Sequence, residues 1–318
     1  MRDHPADAVR CGEEQRPEYD VIPKGPLQVI VQTRPAGLAY KAAQARIDMA
    51  LRASADPFDR AVADLLNVGD MRTAPGAVDA VIQDALASSD PRIYSLAAHA
   101  CVDAEARSGP LIDGPPPPAS CQSLNPRYWA SIDPDNGVPW TLVYEEARVA
   151  GDAAAKVDAV AHLAAATRFE DRPFIAAAAV LKRASANPDE VAALDDLAER
   201  GLWLNHFVQM PVSECRSASS VDFPFRAQCE TIATTMFDHS DLAYLRARGA
   251  TLTLYTTGNS SRRDVVRSEG QLAAARDKAM ESSSPCSQTL DKMRQLLRGA
   301  QVGEVQARVE AGKRPTRP

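Results

Sequence analysis

Aromatic side chains are scarce in this chain of 318 residues, with only 3 Trp, 7 Tyr and 7 Phe. About one residue in six is alanine, well above usual usage. A β-sandwich draws its core from β-branched and aromatic residues, so this composition disfavours one and suits closely packed helices. No stretch approaches 18 apolar residues, which excludes a membrane-spanning helix. An excess of basic charge is also missing. The net charge is −6, whereas a dedicated nucleic-acid binder needs a basic stripe to neutralise phosphates. The one basic cluster, Arg308, Lys313, Arg314 and Arg317, reads as a solvated tail. The chemical signatures of common enzymes are absent too: no P-loop, no dinucleotide-binding glycine motif, no H-E-x-x-H, no G-x-S-x-G and no EF-hand loop. No cofactor or metal is implied, and no residue is singled out as catalytic by a motif.

Apolar residues nevertheless make up 45% of the chain, and its length allows a substantial core without metals or disulfides. The opening residues MRDHPADAVRCGEEQRPEYD hold no apolar run after the basic residue and do not read as a signal peptide. Six cysteines are present, with no CxxC and no zinc-like Cys/His spacing. Cys101 and Cys121 flank the loop SGPLIDGPPPPAS, and Cys215 and Cys229 bracket a Pro-containing stretch. Each pair could staple the loop it flanks, which would place the protein in an oxidising compartment after removal of a leader. The alternative is buried thiols, since Cys101 shares an apolar face with Ile93, Leu96, Ala97 and Ala100.

The strongest regular signal is i, i+3, i+4, i+7 apolar spacing. It recurs at Phe58-Ala61-Val62-Leu65, Val78-Val81-Ile82-Ala85, Trp140-Val143-Tyr144-Ala147, Val157-Val160-Ala161-Ala164 and Phe174-Ala177-Ala178-Leu181. Such spacing returns to one helix face every turn. Asp-Pro or Asn-Pro pairs at 56–57, 90–91, 125–126, 133–134 and 187–188 read as helix starts. The acidic or amide side chain can accept from first-turn amides, and proline at the first position forfeits no bond. Strand candidates are few. Gln28–Gln32 and Thr251–Thr256 could pair as a minor ribbon.

The expected fold is therefore mainly α, an irregular array of antiparallel helical hairpins of α-solenoid type. Residues 1–35 are expected to be loosely structured, 36–106 to form an N-terminal helical lobe, and 107–119 to be a Pro-rich hinge. Residues 120–300 would form the main lobe and 301–318 a tail.

At an offset of 34, Pro139-Trp140 matches Pro173-Phe174, and Val143, Tyr144 and Ala147 meet Ala177, Ala178 and Leu181. In the next helix Val157, Val160, Leu163 and Ala164 meet Val191, Leu194, Leu197 and Ala198. One helix–turn–helix unit per 34 residues cannot bury its apolar face alone and needs a neighbour. From Asp133 to Leu202 the chain resembles a degenerate tetratricopeptide repeat. Asp133-Pro134 precedes the unit, Trp140 takes the large aromatic position, and Gly151-Asp152 takes the inter-helix turn. Tyr144 stands where that family has a small residue, and both Lys156 and Glu190 where it has Ala. The resemblance implies a right-handed superhelix whose groove binds a peptide or protein partner.

Candidate polar chemistry is sparse. Trp203, Asn205, His206 and Phe207 form the most aromatic short run and could line a binding groove. Phe237-Asp238-His239-Ser240-Asp241 places carboxylates around a histidine, downstream of Cys215 and Cys229, and could support a metal or a Cys/His pair. The simpler reading makes Asp238 or Ser240 a helix cap. His99 and His162 read as ordinary helix residues, and Glu145-Glu146 and Asp195-Asp196 as solvated faces. TLYTTGNSSRRDVVR could hold an anion or be an exposed turn. The first functional expectation is a non-enzymatic helical-repeat scaffold or protein-binding module. The second is a hydrolase-like enzyme with a site around His206 or His239, and the third an exported helper protein held by disulfides.

Overall fold

The computed structural model describes residues 18–24, 27–34, 37–66, 75–107, 116–183, 215, 225–280 and 285–313. The protein is mainly α. The chain divides into two compact units, and each is discontinuous in sequence.

The first unit comprises Met1–Leu124, Pro173–Asn205 and Ala279–Ala300. It begins with an antiparallel ribbon of β1 (Glu18–Lys24) and β2 (Leu27–Arg34), paired with Ile22 opposite Val29. The segment expected to be loosely structured thus carries strands. The Gln28–Gln32 strand lies inside β2, but its partner is β1 and not Thr251–Thr256. Helices α1 (Leu38–Arg52), α2 (Pro57–Leu66), α3 (Pro75–Ala87) and α4 (Pro91–Arg107) follow. Neighbours in sequence pack on one another, and α2 also meets α4 and α8 (Pro173–Leu181). The periodic faces fall largely where spacing put them: Phe58, Ala61 and Val62 are buried on α2, with Leu66 rather than the half-buried Leu65 completing the face, and Val78, Val81, Ile82 and Ala85 are buried on α3. Ala176 to Leu181 of α8 are buried on every side, as an all-apolar helix requires.

Caps decide where these helices begin. Phe58 N donates to Asp56 Oδ1 at 3.0 Å, and Arg92 N to Asp90 Oδ1 at 2.8 Å. Arg92 also pairs with both carboxylates, and its guanidinium holds the Asp56 carboxyl below the usual carboxylate range. At the α1–α2 corner, Arg183 pairs with Asp59, while Arg46 Nη1 donates to Arg183 O at 2.9 Å.

Of the Pro-rich stretch, residues 108–115 lie outside the described residues. Pro116–Pro118 lead into a 3-10 turn, Ala119–Ser123, within the first unit, whose boundary with the second follows Leu124. A disulfide joins Cys121 to Cys101, with Cα atoms 5.6 Å apart. The turn buries no residue of its own, so that bond and the Ser120–Asp79 hydrogen bond hold it.

The second unit comprises Asn125–Arg172, His206–Lys278 and Gln301–Pro318. Its helices are α5 (Pro126–Ile132), α6 (Gly137–Ala150), α7 (Ala153–Ala165), α9 (Arg226–Asp238), α10 (Ala243–Thr257), α11 (Ser261–Met280, within this unit to Lys278) and α13 (Glu304–Lys313). Helix α12 (Pro285–Val302) belongs to the first unit up to Ala300. Of the stretch 301–318, expected to be a tail, Gln301 and Val302 end α12 and Glu304–Lys313 form a further helix after Gly303.

Here α5 packs on α6, α6 on α7, α7 on α9, and α9 on α10. The α9–α10 crossing is close because of Gly249. A Cβ there would lie 2.6 Å from Phe237 N and 2.8 Å from Ala233 O. A second disulfide, Cys215–Cys229, ties the start of α9.

Thr251–Thr256 is helical, contrary to the strand expectation. Each threonine returns its hydroxyl to the preceding turn: Thr251 to Ala247 O, Thr253 to Gly249 O and Thr256 to Leu252 O, at 2.9–3.0 Å. Those bonds satisfy the hydroxyls inside a helix. Leu245, Gly249, Leu252 and Thr256 form the buried face, a 3.6-residue period hidden beneath the alternation. Gly258, at φ 73°, ends α10, and Asn259 Oδ1 accepts from Ser261 N at 2.8 Å to begin α11. TLYTTGNSSRRDVVR is thus a helix end, a turn and a helix start.

Two measurements test this packing. Replacing Gly249 with Ala should cost about 2 kcal/mol in urea unfolding, because backbone would have to yield to the new methyl. Replacing Cys101 and Cys121 together with Ser should cost about 3 kcal/mol by the loop-entropy relation. A loss below about 0.5 kcal/mol would show that the 3-10 turn is held without the bond.

Candidate functional site

The 34-residue motif begins on the α6–α7 hairpin. Asn136, not Asp133, caps α6, since Val138 N donates to Asn136 Oδ1 at 3.1 Å. Gly151 takes the left-handed conformation at φ 69°, and Asp152 Oδ1 caps α7 by accepting from Ala155 N at 2.9 Å. Trp140 and Tyr144 are buried. The imidazole of His162 stacks on the Trp140 indole at 3.8 Å between centroids, inclined by 4°. Trp140 Nε1 is buried with no acceptor among the described residues.

The buried face of α7 is Ala159, Val160 and Leu163. Val157, expected on that face, is 48% exposed, and Ala161 is exposed beside it. The outward face therefore shows Ala154, Val157, Asp158, Ala161, His162 and Ala165. Asp158 lies 3.5 Å from Arg127 Nη1 and 3.6 Å from His162 Nε2. This open strip of small side chains, edged by one carboxylate and one imidazole, is the candidate binding face.

A second constellation lies where three non-helical segments meet. Asn136, fully buried, donates to Asp133 Oδ2 and to Glu170 O at 2.9 and 2.8 Å, and accepts from Glu170 N at 3.0 Å. Asp133 in turn receives Arg168 and Arg172. Arg172 has φ 56°, the left-handed region that favours glycine. Phe169 lies between the other segments: its N donates to His239 O at 2.9 Å, and its O accepts from Asp241 N at 3.2 Å. The Phe169 ring fills the space a Cβ on Gly137 would take, 2.3 Å from it. Glu304 Oε2 accepts from Ala243 N at 2.8 Å and so caps α10 from 61 residues away. Asp238 and Ser240 do not cap that helix.

No family model, curated protein or solved structure matches this chain. The site therefore stands on its own geometry.

The expected aromatic groove, Trp203, Asn205, His206 and Phe207, lies outside the described residues, as do Asp195-Asp196 and the second copy of the 34-residue echo beyond Arg183. The side chain of Phe174 is not described either. His239 is exposed at the end of α9 and enters the junction through its carbonyl. Asp238 pairs with Arg262 at 3.1 Å. Cys215 and Cys229 are bonded to each other, so neither is a thiol for a Cys/His pair while that bond stands. Among the described residues, no cluster of His, Cys, Asp and Glu could hold a metal ion. His99 is buried on α4. Burial raises the Glu146 carboxyl above its ordinary range, while Glu145 pairs with Arg148 at 2.5 Å.

Asp133 is the removable keystone of this constellation. Asp133→Ala leaves two largely buried guanidiniums without a shared carboxylate, and should cost about 3 kcal/mol in urea unfolding. A cost near zero would show that Glu170 and Asp135 suffice for Arg168 and Arg172.

Proposed function

We propose that this protein is a non-enzymatic helical scaffold that binds a protein or peptide partner through the outward face of α7. The observation that carries the reading is that face itself. Ala154, Val157, Ala161 and Ala165 lie open to solvent on a helix whose other side is packed. In a hairpin array such a helix normally receives the next element, because one unit cannot cover its own apolar surface. Small side chains let a partner backbone approach closely, and the His162–Trp140 stack gives the strip a rigid edge. The 34-residue echo and its tetratricopeptide resemblance support the same role. The two disulfides support an oxidising, extracytoplasmic setting.

A photo-crosslinking residue at Val157, carried by the full chain in its source cell, should give a discrete adduct under light. The same residue at Asn259, in the exposed α10–α11 turn, should give none. Ala161→Glu should abolish the Val157 adduct while leaving the melting temperature within about 2 °C, since surface changes rarely exceed a few tenths of a kcal/mol. Equal adducts at both positions, or none at either, would rule the face out.

A further inference from the structure

We propose that α1 pairs antiparallel with α1 of a second copy of this chain, about a two-fold axis midway between Ala42 and Ala45. Helix α1 carries two apolar stripes on opposite sides. Tyr40, Ala43, Ile47 and Leu51 form the buried one, on a helix that packs against α2 and α8. Leu38, Ala42, Ala45 and Met49 form the other and are exposed, Leu38 by 85% and Met49 by 65%. Steps of four, three and four residues hold these side chains in one narrow strip, the spacing of a two-helix seam. A single exposed Leu is ordinary, but four apolar residues in line over about three turns form a continuous strip. The two alanines at its middle leave room for a second backbone to approach closely.

The strip is complementary to itself. With a copy turned end for end, Leu38 meets the partner's Met49 and Ala42 meets the partner's Ala45. Large side chains then face large ones at both ends, and small face small in the middle. Each contact occurs twice, as a two-fold interface requires. The charges beside the strip agree. Lys41, exposed, and Asp48 lie on the same flank two turns apart. The antiparallel arrangement sets Lys41 against the partner's Asp48, and the partner's Lys41 against Asp48. Within one chain Asp48 pairs with Arg52 at 3.1 Å, and Arg52 also with Asp64 at 2.7 Å. The Asp48 side chain nevertheless keeps 25% of its surface open, an edge free for an incoming ammonium. A parallel pair would set Lys41 against the partner's Arg46, like charge against like, so the flanking charges select the antiparallel orientation. A helix of 15 residues is about 22 Å long. The pair is therefore at the small end of specific interfaces, and the dimer dissociates in the micromolar range.

Sedimentation velocity of the full-length, disulfide-bonded protein from about 1 to 300 µM should show a monomer–dimer equilibrium. Lys41→Glu places like charges opposite each other on the flank of the seam, and so does Asp48→Lys. Each should raise the dissociation constant about tenfold or more. Mixed one to one, the two variants present opposite charges to each other at both places and should form a heterodimer at least as tight as the wild-type dimer. Damage to the fold of either variant would not produce that rescue. Ala45→Glu, in the middle of the seam, should give a monomer whose helix content by far-UV circular dichroism is unchanged. A chain that stays monomeric up to about 300 µM overturns the proposal and leaves the strip to a partner of another sequence. So does a dimer that Ala45→Glu does not weaken, or a pair of charge variants that associate no better together than alone.

Discussion

The second unit depends on one constraint: irregular backbone that is buried must find partners for every amide and carbonyl. Helices settle that internally. Segments 133–136, 167–172 and 239–242 cannot, and each lost bond in such a place costs the full desolvation of the orphaned group. Asn136 and Asp241 answer the constraint. Asn136 serves Val138 N, Glu170 N and Glu170 O with one amide side chain, and Asp241 does the equivalent for Asp171 N and Arg172 N. Two short parallel bridges, Asn136 to Arg168 and Phe169 to Ser240, complete the set. Helices α5, α6, α9 and α10 all begin or end at this junction, so their directions are fixed there as much as by their apolar faces.

Helix content was legible in the sequence because it is written locally. Asp56, Asp90 and Asn125 each accept from the amide two residues on, and each stands before a proline that marks the helix start. The two disulfides were also within reach, as each joins cysteines on either side of one loop. Local signals failed where a distant residue does a local job. The cap of α10 comes from Glu304, and nothing near residue 243 announces it. Asp133-Pro134 has the form of a helix start, but Arg168 and Arg172 claim the carboxylate, and the cap passes to Asn136.

The threonines of α10 failed for a different reason. Alternation of Thr and Leu satisfies a two-residue period and a 3.6-residue period at once over six positions, and packing against α9, with Gly249 at the contact, goes with the second. The candidate face on α7 was half legible. Its hairpin was read from the 34-residue offset, but Val157 was assigned inward. In an alanine-rich helix one or two residues decide which side is apolar, and here Ala159 and Leu163 outweigh Val157 and Ala161. The long-range links of the junction carry no short-range pattern: Arg168 and Asp133 lie 35 positions apart, and Asp171 N and the Asp241 carboxylate 70.

The chain crosses from the first unit to the second after Leu124, returns at Pro173, leaves again after Asn205 and comes back at Ala279. Vectorial synthesis therefore cannot finish one unit before starting the other. When the ribosome has made the first 205 residues, the early unit still lacks α12 and the later one has only its first three helices. Both must wait, partly built, for segments that follow later in the chain, so apolar surface stays uncovered in the meantime. A protein assembled in this order has a reason to rely on covalent ties inside each unit, since a staple formed early preserves what has already been put together.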